Sequence, residues 1–569
     1  MKTSIPPSGR RLFCCAVVAA ALPCSALLTN TNDLPTYSVE EILHRERGAF
    51  ISTPTAQAQQ YFAAQLPESN VYISLRDCIV MGLEKNLGLT IERYAPNISK
   101  EDIRLAISVF DPQFYGMIQW SGQRTPRPYE KTFITGDSKL VIGNTHSENF
   151  QYNGRIFGKF ITGLEYSIGM ANDRSWTEGG EGLNAAYSTA TDGSLVMPLL
   201  KGFGIGVNLA PVRIARNNQR IAEVTLESLM QDMVTQIIVA YWNLYAAREQ
   251  LSASYYSLTL ARELLSINEA KVSVGMAAPI DVTQAKARIA SQEDALLVAA
   301  NAVRNAEDIL RGLINFEMDT LLRPKAYQPA AYHLIPLEKP QIVEYDPEET
   351  KYIATAIRDR QTLEIAYLNL ENTKQTMKVA RNNLLPQLNA LGSLGWQGVG
   401  ENFDNAYDDE YTARHPRWSA GLEVLVPLFY NAEVATYRQA KYRQRQAEFS
   451  IEQVKQQIAI EVRAALRAVQ TNRKRIDASR EATRYAREQL NAEQEKFNVG
   501  QATTYDVLLI QNDLASALSA EISALVEWRN AVAALELFTG TTLDKNGIVF
   551  DSYSAMPEEQ KFIDDYIWR

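Results

Sequence analysis

The chain has 569 residues, a formal net charge of −9, and 46% hydrophobic against 22% charged residues, which excludes a disordered or low-complexity polypeptide. The acidic balance argues against nucleic acid as a partner, because nucleic-acid binding needs a basic face. The four histidines (His44, His146, His333, His415) share no metal-ligand spacing and the four cysteines (Cys14, Cys15, Cys24, Cys78) form no C-x-x-C pair. No phosphate-binding loop and no nucleophile elbow occurs, so nothing here points to an enzyme, a cofactor or a metal.

At the N-terminus, Arg10-Arg11 precedes a short apolar run at 12–22. A basic segment before a run too short to span a bilayer reads as a secretory signal, residues 1–26. Pro23 makes Cys24 a poor acylation site. An extension at 27–70 carries no motif. No later segment reaches 18 consecutive apolar residues, so any membrane contact must use strands or partners.

From residue 71 the chain is written twice. Lys-Val-Ser-Val-Gly-Met-Ala-Ala-Pro-Ile-Asp-Val at 271–282 matches Lys-Phe-Asn-Val-Gly-Gln-Ala-Thr-Thr-Tyr-Asp-Val at 496–507. The segments around Pro198 and Pro427 match, as do Arg104-Leu105-Ala106 with Lys378-Val379-Ala380, and Pro112 with Pro386. The organisation expected is a first repeat at 71–318, a linker at 319–345, a second repeat at 346–540 and a tail at 541–569. About 45 extra residues lie between Pro112 and Pro198, as surface loops or as added strands.

Residues ~74–110 and ~348–384 read as helices that open each repeat. The stretches ~204–273 and ~430–498 are nearly free of proline and rich in helix formers, which predicts rods of roughly 105 Å. Each rod stops at a glycine, Gly275 or Gly500, where a left-handed residue is expected. Returning helices of about 36 residues start near Pro279 and Thr503, with Asp281 and Asp506 three positions past the caps. They keep a seven-residue apolar register from 282 to 313 and from 507 to 538, a coiled-coil or bundle seam. A short opening helix stacked on a returning helix matches one long rod.

Between the prolines the period becomes two. Tyr166, Ile168 and Met170 alternate with small or polar residues along 160–170, Leu388, Ala390, Leu394 and Trp396 along 388–396, and Trp418, Leu422 and Val424 along 418–428. The segments 122–152, 172–186 and 398–415 read as loops. Such strands suit an outer-membrane barrel or a half-buried soluble sheet; secretion favours the barrel. One chain offers four to six strands and a closed barrel needs at least eight, so several copies must share one.

The duplicated Val-Gly-x-x-x-x-x-Asp-Val turn, Pro-Leu-Leu-Lys-Gly-Phe-Gly at 198–204 and Phe-x-x-Gly…Asp-Val-Leu at 497–508 resemble the TolC-like outer-membrane efflux protein (outer-membrane factor) family. The resemblance implies a fold that is mainly α with β: duplicated helix–strand–hairpin units, and a trimeric twelve-stranded transmembrane β-barrel continued by a periplasmic α-helical barrel. Pro112, Pro198, Pro386 and Pro427 then mark the barrel–helix junctions. It implies a homotrimer in outer-membrane lipid, met by a periplasmic adaptor (membrane fusion) protein and an inner-membrane pump. It implies a gate at Asp506, Leu509, Asp281 and Phe497, and adaptor contacts at Val274, Gly275, Met276, Val499, Gly500 and Gln501. The family's gating arginine maps near Ala502 and its tyrosine near Phe497, so closure is expected to rest on packing of Phe497 and Leu509. A periplasmic adaptor or a structural coiled-coil envelope protein is the alternative; the first has one hairpin and a β-rich half, and the second needs no amphipathic strands.

Overall fold

The computed structural model describes residues 71–132, 136, 138–178, 185–316, 333–342 and 348–548. The expected signal and extension, most of the linker and the tail beyond residue 548 lie outside them. The elements below all belong to one unit, which includes Gln65–Asn546.

The first repeat opens with β1 (Val71–Ile73), α1 (Leu75–Lys85), α2 (Leu87–Glu92) and α3 (Tyr94–Ile107). Four strands follow: β2 (Gln113–Thr132), β3 (Ser138–Lys159), β4 (Glu165–Thr177) and β5 (Ala185–Pro198). Then come α4 (Ile205–Asn208), α5 (Ala210–Ser273) and α6 (Pro279–Ile314), and after them the short strand β6 (Leu334–Pro336). The second repeat runs α7 (Glu349–Asp359), α8 (Gln361–Asn382), β7 (Gln387–Gly400), α9 (Phe403–Tyr411), β8 (Pro416–Leu425), α10 (Asn431–Asn498), α11 (Thr504–Thr539) and α12 (Thr542–Lys545). β6 pairs in parallel with β1, which ties the linker to the start of the first repeat.

The long helices α5 and α10 hold 64 and 68 residues. At 1.5 Å per residue these are rods of about 96 and 102 Å, close to the length read from the sequence. The opening helices differ from expectation, because each is broken by one extended residue, and the first is interrupted again by a turn at Arg93. Asn86 has ψ 123° and caps α2, its side chain accepting from Leu89 N at 3.1 Å; Arg360 has φ −82° and ψ 123°. The two breaks are 274 positions apart (360 − 86), the offset of the Arg104/Lys378 match.

The reason is a collision of helix ends. The end of α6 meets the first break, where Asn86 Nδ2 donates to Leu313 O at 2.9 Å and Asn315 Nδ2 to Lys85 O at 3.1 Å. The end of α11 meets the second, where a Cβ on Gly540 would lie 2.9 Å from Asp359 O. Opening and returning helices therefore do stack end to end along each rod.

Near the hairpin turns the helices lie in the order α6, α5, α11, α10; near the sheet the order is α3, α5, α8, α10. Trp528, Ile458, Val462, Leu466, Ile476 and Leu363 fill the core between α8, α10 and α11. The expected seams are used: Ala285, Gln292, Ala299, Val303 and Leu310 of α6 are buried, and Val507, Ile510, Leu514, Ala524, Trp528, Ala531 and Leu535 of α11. Fewer seam positions are buried on α6 because α11 packs on both α5 and α10, whereas α6 packs mainly on α5. Among the described residues no helix is long and apolar enough to cross a membrane.

The six larger strands form one antiparallel sheet in the order β2-β3-β4-β5-β7-β8. Four expectations need correction, the first being the loop at 172–186, of which 172–177 belong to β4 and 185–186 to β5. Residues 122–152 are mainly strand, not loop, and continue β2 and β3; their polar composition hid the alternation. Residues 160–164 are the β3–β4 turn. The loop at 398–415 contains helix α9, whose Phe403 packs on Tyr152 and Tyr187 and whose Tyr407 hydroxyl donates to Asn172 Oδ1 at 2.7 Å.

Because alternate residues of a strand point to opposite faces, the register assigns every side chain to a face. One row crosses all six strands: Phe114, Ile156, Ile168, Gly193, Leu394, Trp418. The adjacent row, on the other face, is Gln113, Phe157, Ser167, Ser194, Ser393, Ser419, and there Ser393 Oγ lies 2.7 Å from Ser419 Oγ. The next row on that second face adds Arg155, Asp192 and Arg417. In the rows nearest the helices the sheet thus has one mainly apolar and one mainly polar face; farther along, Asn172 and Thr189 interrupt the apolar face beneath α9.

The prolines bound this sheet. Pro112 and Pro386 immediately precede β2 and β7, Pro198 ends β5, and Pro427 lies two residues past β8. The 198–204 segment is stitched to the second repeat: Leu199 N donates to Leu388 O at 2.7 Å, and Gly202 N to Asn382 Oδ1 at 2.7 Å.

Candidate functional site at the hairpin turns

The two turns that join α5 to α6 and α10 to α11 are built alike. Gly275 N donates to Val272 O and Met276 N to Lys271 O; at the second turn Gly500 N donates to Phe497 O and Gln501 N to Lys496 O. These are paired Schellman bonds, and they need a left-handed residue just past the helix. Gly275 (φ 77°) and Gly500 (φ 80°) supply it.

The helices that leave the turns are capped through the two aspartates. Asp281 Oδ2 accepts from Ala278 N at 3.1 Å, with Pro279 in the first turn. Asp506 makes the fuller cap: Oδ2 accepts from Thr503 N at 2.9 Å and from Thr503 Oγ1 at 2.6 Å, while Asp506 N donates to Thr503 Oγ1. The Thr503 hydroxyl first, and its backbone N–H second, hold the Asp506 carboxyl below its ordinary value. Asp506 therefore carries a charge at neutral pH and serves the helix N-terminus as well.

The other two expected gate residues have different surroundings within one chain. Phe497 is buried with Leu264, Leu490, Val507, Ile510 and Leu514, and Ala502 packs against this cluster. Leu509 is about half exposed. Val274, Met276 and Val499 project from the turns at 68%, 78% and 71% exposure, an unusual amount of apolar surface for a helix tip. Ile280 and Tyr505 extend the same surface.

Two residues that sequence reasoning passed over connect the repeats. Lys271 Nζ donates to Phe497 O at 2.6 Å and lies over the Phe497 ring. Partial burial pulls its pKa down against the opposing pull of Asp281. Asn268, fully buried, accepts from Thr504 Oγ1 at 3.2 Å. The signal for Lys271 was present, since a lysine heads the Lys-x-x-Val-Gly motif in both copies.

The sequence profile of the outer membrane efflux protein family matches residues 164–315 and 352–541, on both sides of the linker. The chain belongs to the outer membrane efflux protein family. Its relatives include outer membrane efflux protein BepC of Brucella suis biovar 1 (strain 1330), 26% identical over 446 residues that cover 75% of this chain and 91% of BepC. Outer membrane protein TolC of Escherichia coli (strain K12) is 22% identical over 382 residues, covering 65% of this chain and 74% of TolC. The fold resembles that of the CmeC outer membrane channel of Campylobacter jejuni, with a TM-score of 0.58 at 17% identity over 86% of this chain and 89% of CmeC. Membership makes this an outer-membrane efflux channel and not an enzyme. The readings as a periplasmic adaptor or a coiled-coil envelope protein give way to it.

Proposed function

We propose that the chain is the exit duct of a tripartite efflux or type I secretion assembly. It acts as a homotrimer whose sheets share one barrel in outer-membrane lipid and whose helices continue it as a periplasmic tube. The observation that carries this reading is the joining, in one chain, of a sheet with one mainly apolar and one mainly polar face to rods of about 100 Å. The open flanks support self-association. Among the described residues, α6 and α10 each have a flank without a neighbour, and both carry exposed apolar side chains, including Leu297 and Ile309 on α6 and Phe449 and Ile460 on α10.

The hairpin turns form the periplasmic iris gate. A ring of three Asp506 carboxylates about one axis favours cations and repels anions. Asp281 and Phe497 hold the turns together from within each copy, and Leu509 faces the axis from its exposed position. Opening untwists the helices at the glycine turns. The apolar surface of Val274, Met276 and Val499, with Gly275, Gly500 and Gln501 between, receives the adaptor hairpin, which couples the duct to an inner-membrane pump. Recording in planar bilayers tests the gate: Asp506→Ala is expected to raise resting conductance and to lower cation selectivity. If both stay at the unmodified level, Asp506 has no part in the gate; absence of any trimer in outer-membrane fractions sinks the duct itself.

A further inference from the structure

We infer that β8 of one copy pairs edge to edge with β2 of the next, so that three copies of six strands close an eighteen-stranded barrel. The inference rests on the trimeric duct proposed above, and it departs from the twelve-stranded wall, four strands per copy, that the family resemblance implies.

The first support is chemical. The β3–β4 hairpin is the added part of the first repeat, and it carries the same two faces as the strands around it. Ile156 and Ile168 continue the apolar row from Phe114 to Trp418, with Met170 in the next row of that face. Asn153, Arg155, Ser167 and Asp173 lie on the polar face, where Gln151 Nε2 donates to Asp173 Oδ1 at 2.9 Å. A hairpin held in water outside the barrel has no use for that pattern. β2 has none either, yet its Phe114, Ile118 and Trp120 stand 71%, 80% and 74% exposed on the apolar face.

The second support is geometric. β2 runs away from the helices and β8 runs back toward them, so the two edges have opposite directions and close in the antiparallel sense of every other pair. All ten residues of β8 are exposed in the single chain, as the last strand of an unclosed wall would be. An exposed strand edge of this length is a template for another strand. With strands about 4.8 Å apart and tilted by about 40°, eighteen strands give a backbone radius of about 18 Å and twelve about 12 Å. The exit would be about 1.5 times wider.

Paired cysteines test this in the full-length protein, whose one described cysteine, Cys78, is buried and free. One set carries cysteine at Gln113, Tyr115 or Met117 of β2 together with Arg417, Ser419 or Gly421 of β8, all on the polar face. The other joins Ser167 or Gly169 of β4 to the same β8 positions. Disulfide-linked dimers and trimers from the first set only, with a barrel in electron micrographs about 1.5-fold wider than a twelve-stranded one, are the expected result. Links from the second set, or a barrel of twelve-stranded width, overturn the eighteen-stranded wall and leave the trimeric duct intact. A monomer with no links from either set overturns the duct reading itself.

Discussion

Lys271 Nζ lies 3.4 Å from the centre of the Phe497 ring and 2.6 Å from the Phe497 carbonyl oxygen. The contact fastens the last turn of α5 to the last turn of α10, one from each repeat, beside the two glycine turns. A partly desolvated cation on an aromatic face contributes about 1–2 kcal/mol. Lys271→Met keeps the apolar stem and removes the charge. It is expected to raise resting conductance in planar bilayers and to speed hydrogen exchange in the last turns of α5 and α10, while Lys271→Arg preserves both. A Lys271→Met channel that conducts and exchanges as the unmodified one does would show the contact to be incidental.

Asp506 serves a helix cap and a proposed gate, and the two roles separate by substitution. Thr503→Ala removes the capping hydroxyl and leaves the carboxylate, at a cost of about 1 kcal/mol to the start of α11. Asp506→Asn removes the charge. If the charge gates, Asp506→Asn loses cation selectivity in reversal-potential measurements and Thr503→Ala keeps it; equal loss in both assigns the effect to the cap. The pH dependence has a definite sign. The folded carboxyl titrates below its ordinary 3.8, so its contribution to stability is present above that pH and is lost as the pH falls through the lower folded value. Selectivity is therefore expected to be retained at pH 5.

The repeat and its turns were legible because they depend on local chemistry: a left-handed position calls for glycine, and a helix start calls for a cap. The breaks at Asn86 and Arg360 were not, because neither carries a proline; each is forced by a returning helix that ends against it, more than 170 positions away in sequence (Gly540 against Arg360). The extra strands were hidden for another reason. Along β3 the polar face holds Asn149, Gln151, Asn153 and Arg155, while glycines interrupt the apolar one, so the segment reads as a loop until the partner strands are known. Helix α9 is acidic, and its packing residues, Phe403, Ala406 and Tyr407, are too few to show a period. The different burial of Phe497 and Leu509 is a matter of helix phase. Twelve residues separate them across a turn whose geometry sends one inward and the other out.

Gly275 and Gly500 give a test of the turns that does not involve the gate residues. Nothing lies within 4 Å of a Cβ built on either, so Gly→Ala meets no steric neighbour and only the positive φ opposes it. That strain costs about 1–2 kcal/mol per site. Each substitution is expected to accelerate amide exchange at its own turn and leave the sheet and the distant helix layer unchanged. Unchanged exchange at the substituted turn would mean that the Schellman geometry is not held in solution.

The two faces of the sheet make the most demanding prediction, because neighbouring positions on one strand must respond in opposite ways. Leu394 sits mid-strand in the apolar row, and Ser393 faces the polar side beside Ser419. An arginine directed into lipid near the bilayer midplane costs about 2–4 kcal/mol, while one directed into a water-filled lumen costs little. Leu394→Arg is expected to deplete assembled protein from outer-membrane fractions. Ser393→Arg is expected to assemble normally and to shift ion selectivity toward anions. The same pair of responses should appear in the added hairpin, with Ile168→Arg depleting the assembled protein and Ser167→Arg tolerated, if β4 stands in the same wall as β7. Equal tolerance of arginine at 167 and 168 would take β4 out of contact with lipid even where the 393 and 394 pair behaves as expected.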